Sequence, residues 1–470
     1  MNIQVVPILM IILYMVGLFI IGYLTNKLTI KSSADYMLAG RRMGIFMVAA
    51  SLSANNIGGG STTGVAARAF AGWGLSAAWY VLAAAIAMIP LAYFAPRIRQ
   101  TMAVTIPEVV NRRFGNAAGL FTAVLNIISL FCLTASQILA AASVISSLTG
   151  IPLNLCIILA AFIVIMYTTL GGMLADAIAD VIQYLIIFFG LLISLPFIIS
   201  GAGGWAKIAA ALPPAELNFT KVGAVTIIGL IFNYFCTFLS GPEMVSRFSS
   251  SEDGKTAQKA AILSAVMMGM LAFIPTLIGL VSLALNPGLD NGQGTTALMY
   301  ATKQFAPSWI TGAVAAAIVA ATMSSADSNL LCSSTILIKD IYQRYINPHV
   351  EDRKLISLTR LSNVLICVIS MLIALLNISL VTLNLFAFAL RSAGPFAAYA
   401  LGLTVKDATR NAGILSIIVG SVAVLVWQFL NSPYGILPIV FGCALGTLTF
   451  LLVTWIERSM GKEPAPSAYQ

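Results

Sequence analysis

The fold class this sequence predicts is an all-α polytopic membrane protein, and three observations carry the prediction. Hydrophobic residues make up 59% of the chain and charged residues only 9%. The apolar residues gather into runs near the ~20 residues that a helix needs to cross a bilayer. The basic residues fall almost entirely on alternate connections between those runs, which is the charge asymmetry of a membrane topology.

Thirteen spans are expected, at 5–24, 44–70, 74–95, 118–147, 152–170, 176–200, 223–246, 258–285, 309–338, 357–376, 381–403, 412–430 and 436–456. Ahead of the first, Met1-Asn2-Ile3-Gln4 offers neither a basic n-region nor an A-x-A site. That segment reads as a retained span rather than a signal peptide. Twenty of the 25 Lys and Arg lie in 25–43, 96–117, 247–259, 339–360, 404–411 and 457–470, against three on the opposite side: Lys207, Lys221 and Lys303. The positive-inside rule therefore puts the N-terminus outside and the C-terminus in the cytoplasm. The net charge of +9 reports topology and not a nucleic-acid surface. Six cysteines lie singly within the spans and the one histidine, His349, lies in a loop, so neither a zinc nor a disulfide pattern exists. The tail from Ser459 to Gln470 reads as Pro-rich disorder.

Two spans are faulty. The second is interrupted by Asn55-Asn56-Ile57-Gly58-Gly59-Gly60-Ser61-Thr62-Thr63-Gly64, and the seventh breaks at Gly241-Pro242 beside Glu243. Non-helical backbone at membrane depth survives only where protein buries it or where it lines a cavity. Breaks five spans apart point to an inverted-repeat transporter, because a repeat of five enters the membrane from the opposite side the second time. A close Gly-rich helix contact and a proline kink are the plainer alternative.

The ninth span carries Ser324-Ser325-Ala326-Asp327-Ser328, and Asp327 is the only charge between Trp309 and Ile338. At about 100° per residue, Ala321, Ser324, Ser325 and Ser328 share one helix face with Asp327 on its flank. Hard oxygens suit an alkali or alkaline-earth cation, and an ionisable residue inside the membrane points to a functional site. The other reading has the serines bonding back to carbonyls one turn earlier.

Four segments together resemble the sodium:solute symporters: Ala34-Asp35-Tyr36-Met37-Leu38-Ala39-Gly40-Arg41; Ser53-Ala54-Asn55-Asn56-Ile57-Gly58; Tyr167-Thr168-Thr169-Leu170-Gly171-Gly172 with Asp180-Val181-Ile182-Gln183; and Met323-Ser324-Ser325-Ala326-Asp327-Ser328 with Lys339-Asp340-Ile341-Tyr342. The resemblance implies a leucine-transporter-type fold of two inverted five-helix repeats. It divides the chain into an extra helix and loop (1–43), a first repeat (44–200), an external loop (201–222), a second repeat (223–403), and two further helices with a short tail (404–470). It implies a first sodium site from the carbonyls of Ala54, Ile57 and Ala321 and the hydroxyls of Ser324 and Ser325. A second cation site is implied at Asp180, Ser324, Asp327 and Ser328. Asp327 stands where the two-sodium members have serine, and Ala179 where threonine is usual. The Met-Ser-Ser-Ala-Asp-Ser run is similar to that of the choline transporter branch. The implied substrate pocket contains Asn56, Ser61, Tyr80, Gln137, Asn233 and Tyr234.

Arg68 either attracts a substrate carboxylate or makes a gate contact or a pair with Glu243, and Arg391 is equally ambiguous. Asp180 has a purely structural reading too, and Asp176 reads as a marker of the membrane edge. The expected function is sodium-coupled import of a small polar organic solute (an amino acid or other zwitterion, a carboxylate or a quaternary amine) by alternating access in the cell (inner) membrane. The expected partners are the solute, Na⁺ and the lipid bilayer, with no nucleic acid, and a monomer is the expected unit. One alternative is proton coupling through Asp327 or Asp180. An intramembrane aspartyl protease using those two residues is disfavoured because no Gly-x-Gly-Asp run exists. A transporter-like sensor is disfavoured because no signalling domain follows Arg458.

Overall fold

The structure is a computed structural model and describes residues 5–29, 32–289, 296–378, 380–430 and 432–469. Among these residues every regular element is helical, apart from one isolated bridge between Met43 and Ser251. Among the described residues nine helices are long and apolar enough to cross a bilayer, and counting each of two bent pairs as one span gives eleven, against the thirteen spans expected. The second span accounts for part of the difference. It consists of two helices, Ile45–Asn56 and Thr63–Arg68, on either side of the Gly-rich break. The fifth span contributes only a short apolar helix, Leu153–Met166. Gly172 then turns the chain with φ of +61°, and a Cβ added there would lie 2.7 Å from the Tyr36 ring.

The seventh span also breaks where expected: Ala224–Leu239 and Pro242–Ser250 meet at 57°. Proline at the start of the second piece is compatible with a helix there because its missing N–H has no intrahelical partner. A third bend falls at Gly394-Pro395, inside the span expected at 381–403: Leu383–Ala393 and Pro395–Gly402 meet at 49°.

Position in the bundle follows composition. The serine-bearing helix, Ser308–Thr335, is lined with Ala, Ser and Thr and allows close approach on all sides. Its apolar window is 89% buried, against 17% for that of the N-terminal helix. The serine helix packs on Asn116–Thr149, Leu153–Gly201, the N-terminal helix and the first broken helix. The two broken helices are tied at one end, where Met43 N–H donates to Ser250 O (3.1 Å) and Glu252 N–H donates to Met43 O (3.2 Å).

Near the ends of the helices, on the side that carries most of the basic residues, burial pushes the Glu108 carboxyl up. Lys339, the Val104 N–H and Arg112 outweigh it and hold the carboxyl below the ordinary range. The expected disorder of the tail is not what the structure shows for 460–469. Ala465 N–H donates to Ala408 O at 2.7 Å, Tyr469 Oη donates to Leu403 O at 2.7 Å, and Ala468 is buried. Backbone pairing and an aromatic anchor give this proline-containing segment a place on the protein.

Candidate functional site

The first break exposes backbone groups that a continuous helix would have paired. Local side chains satisfy several of them. Thr62 and Thr63 hydroxyls donate to Gly58 O (3.1 Å) and Gly59 O (2.8 Å), Ser61 Oγ donates to Asn56 O (2.9 Å), and Gly59 N–H donates to Gln137 Oε1 (3.0 Å). The glycines are needed for closeness. A Cβ on Gly58 would stand 2.8 Å from both Gln137 Oε1 and Ser325 Oγ.

The last carbonyls before the break face the serine helix. Ser324 Oγ donates to Ala54 O at 2.8 Å and lies 3.0 Å from Ala321 O. Ser325 Oγ donates to Asn55 O at 2.7 Å and lies 3.2 Å from Ala321 O. A hydroxyl has one proton and two acceptor lone pairs. Each serine can turn its proton to Ala321 O and present its oxygen to a cation, which the freed carbonyls would also meet. Of the five groups implied for the first sodium, Ala54, Ala321, Ser324 and Ser325 come together. Ile57 closes the last turn of its helix, with its N–H on Ser53 O at 2.9 Å, and Asn55 supplies a carbonyl that the sequence reading did not name.

Beside these oxygens is a cavity of about 60 Å³, several times the roughly 10–15 Å³ that one water needs. Asn56, Ser61, Tyr80, Gln137 and Tyr234 line it as expected, and Ser325 lines it too. Asn233 and Arg68 do not. Asn233 is buried in the packing, and the Arg68 guanidinium lies over the Tyr80 ring at 4.1 Å. The cavity also contains Asn329, Asn384 and Phe388, and a charged pair that the sequence reading did not assemble. Arg391 Nη1 lies 2.7 Å from Glu243, so the expected alternative partner for Glu243, Arg68, is replaced by Arg391.

The largest omission is Arg247. Grouped by sequence with the basic loop 247–259, it is fully buried. Its Nη2 reaches Asp176 Oδ2 and Asp180 Oδ2, both at 2.9 Å, and Ser328 Oγ. Its Nε donates to Ser51 Oγ at 2.7 Å, and the Ser51 hydroxyl donates to Asp180. Asp176 is therefore an ion-pair partner and not a membrane-edge marker. The group implied for a second cation is divided: Asp180 and Ser328 engage Arg247, while Asp327 Oδ1 accepts from Thr168 Oγ1. The other oxygens, Asp180 Oδ1 and Asp327 Oδ2, are buried without a hydrogen-bond partner among the described residues. Asp176, Asp180 and Asp327 do not converge as a carboxylate metal cluster among the described residues. The available signal for Arg247 was its spacing: it lies four residues after Glu243, on the same face of a short helix that begins inside the membrane.

The chain is similar to known transporters over nearly its whole length. The osmoregulated proline transporter OpuE of Bacillus subtilis (strain 168) is 28% identical, with 97% of this chain and 95% of that protein covered. A sodium/proline symporter of Staphylococcus aureus (strain bovine RF122 / ET3-1) is 27% identical, with 97% and 93% covered. Among solved structures, a Na⁺-coupled sialic acid symporter in a substrate-bound outward-open state superposes with a TM-score of 0.84 at 21% identity, over 99% of this chain and 100% of that one. Mhp1, a nucleobase-cation-symport-1 family transporter in a closed conformation, gives 0.61 at 18% identity, over 90% and 94%. The fold is therefore of the leucine-transporter type. The model of the sodium:solute symporter family matches residues 36–420, and the chain belongs to that family: it is a multi-pass membrane transporter, not an enzyme.

Proposed function

We propose that this protein imports a small polar organic solute together with Na⁺ by alternating access, and that L-proline is the first solute to test. The observation that carries the proposal is the continuity of the two sites. Asn55 and Ser325 belong both to the oxygen cluster and to the cavity wall, so Na⁺ and solute act on the same pair of helices. Na⁺ held by Ala54, Asn55, Ala321, Ser324 and Ser325 ties the first broken helix to the serine helix. If that tie favours the outward-open state, coupling needs only a differential affinity of about 1–3 kcal/mol between states. The two curated relatives named above are proline transporters, which supports the choice of solute. The test is uptake into proteoliposomes. An inward Na⁺ gradient is expected to drive accumulation, and equal uptake with K⁺ replacing Na⁺ on both sides would sink the proposal.

The repeats are assigned to 44–200 and 223–403, with the N-terminus outside and the C-terminus inside the cell (inner) membrane. Asn218 and Glu351 are both exposed on the protein. A cysteine at Asn218 is expected to react with an impermeant thiol reagent from outside, and one at Glu351 only after permeabilisation. All six native cysteines are buried, which keeps the background low. The reverse labelling pattern would invert the assignment.

We propose that a second cation binds at Asp327 alone, whose Oδ2 is buried without a hydrogen-bond partner among the described residues. Three buried carboxyls, Asp176, Asp180 and Asp327, share the neighbourhood with one guanidinium, and unpaired buried charge is costly. Asp327→Ser is expected to lower the Hill coefficient for Na⁺ from near two to near one while uptake persists. An unchanged coefficient with altered pH dependence would give Asp327 a proton instead.

A further inference from the structure

Resting on the reading of the cavity as the solute site, we propose that the Arg391–Glu243 pair is the recognition element for a zwitterion, a solute bearing both a carboxylate and an N–H ammonium. Among the described residues Arg391 and Glu243 are the only charged ones lining the cavity, and the rest of the described wall is amide, hydroxyl, ring and apolar side chain. The pair is nearly dry, with side chains 1% and 5% exposed. It comes from two bends, because Glu243 lies in the first turn of the helix that begins at Pro242 and Arg391 stands three residues before Gly394.

The contact between them leaves hydrogen-bonding capacity over. Arg391 reaches Glu243 through Nη1, while its Nε is buried without a partner among the described residues. A guanidinium presents five N–H donors in a planar fork, and a carboxylate prefers to take two of them side by side. A solute carboxylate that takes the donors of Arg391 left over by Glu243 competes with Glu243 for the same charge. Two carboxylates would then share one guanidinium that is almost wholly buried, and a carboxylate without a partner there is costly. A solute ammonium removes the conflict by pairing with Glu243. A net anion leaves Glu243 uncompensated, and a net cation leaves Arg391 uncompensated. A neutral solute can neither replace nor complement the pair. Selection for a zwitterion thus follows from the internal neutrality of the cavity.

The test is a thermal-shift panel on the purified full-length protein in Na⁺ buffer. Free L-amino acids, L-proline included, are compared with their N-acetyl derivatives, which retain only the carboxylate, and their amides, which retain only the ammonium. The expected result is stabilisation by at least one free amino acid, with its two masked forms binding at least tenfold more weakly. Masked forms that bind equally well, or a panel in which no free amino acid stabilises the protein, would overturn the proposal. The double variant Arg391→Gln/Glu243→Gln keeps two hydrogen-bonding side chains of similar size and removes both charges. It is expected to bind the best amino acid at least thirtyfold more weakly, and unchanged affinity would overturn the proposal. If that variant does not fold, the panel on the unmodified protein decides the matter alone. Zwitterion binding without Na⁺-driven uptake would remove the coupling proposal and leave this one standing. Na⁺-driven uptake of a net-charged solute would do the opposite.

Discussion

Replacing Arg247 by methionine is expected to destabilise the protein more than any other single change considered. Asp176 and Asp180 would lose the guanidinium that lies 2.9 Å from each, in a position with no exposure to solvent. Removing one partner of a buried ion pair costs about 3–5 kcal/mol, because the remaining charge is left without compensation. The measurement is thermal unfolding of purified protein, with folded yield as a second readout. Neutralising the partners as well, in Arg247→Met/Asp176→Asn/Asp180→Asn, is expected to recover most of the loss, since replacing a whole buried pair by neutral groups is often close to neutral. A single variant as stable as the wild type would mean that Arg247 does not hold the two aspartates. A triple variant no more stable than the single one would assign the loss to packing and not to charge.

Ser325→Ala is expected to raise the Na⁺ concentration for half-maximal uptake by about 10- to 100-fold, with transport retained at saturating Na⁺. The hydroxyl contributes one oxygen to the cluster formed with Asn55 O and Ala321 O. An interaction with a charged group is worth about 1.5–3 kcal/mol, and each 1.4 kcal/mol is about tenfold in affinity. Ser333→Ala is the control on the same helix. Its hydroxyl only bonds back to Leu330 O at 3.0 Å, so its Na⁺ dependence should match that of the unmodified protein. Equal Na⁺ dependence for both variants would remove Ser325 from the cation site. The paired design separates loss of a ligand from loss of any buried serine hydroxyl.

The sequence was a good guide wherever the controlling physics is local. Apolar runs of spanning length mark helices because lipid leaves the backbone no other way to pair its polar groups. The Gly-rich run at 58–60 and the Gly241-Pro242 pair mark breaks for the same reason read in reverse. The serine face needed only the helical period, and in the structure Ala54, Ala321, Ser324 and Ser325 do come together. Gly394-Pro395 carried the same kind of signal as Gly241-Pro242, yet apolar segments of helical length on both sides of it hid the bend. The choice of charge partners was not legible in this way. Arg247 lies next to a polar connection in sequence, and hydropathy assigned it there, whereas its partners lie 71 and 67 residues away.

By itself, then, the sequence determined the class of protein, the places where its helices break and the face that offers oxygens to a cation, since each depends on residues within a few turns of one another. Tertiary structure alone decided that Arg247 neutralises Asp176 and Asp180, and that Glu243 pairs with Arg391, 148 residues away, and not with Arg68. A buried charge must find an opposite charge within hydrogen-bonding distance. Which one it finds depends on how the broken helices pack, and no local pattern of residues encodes that distance.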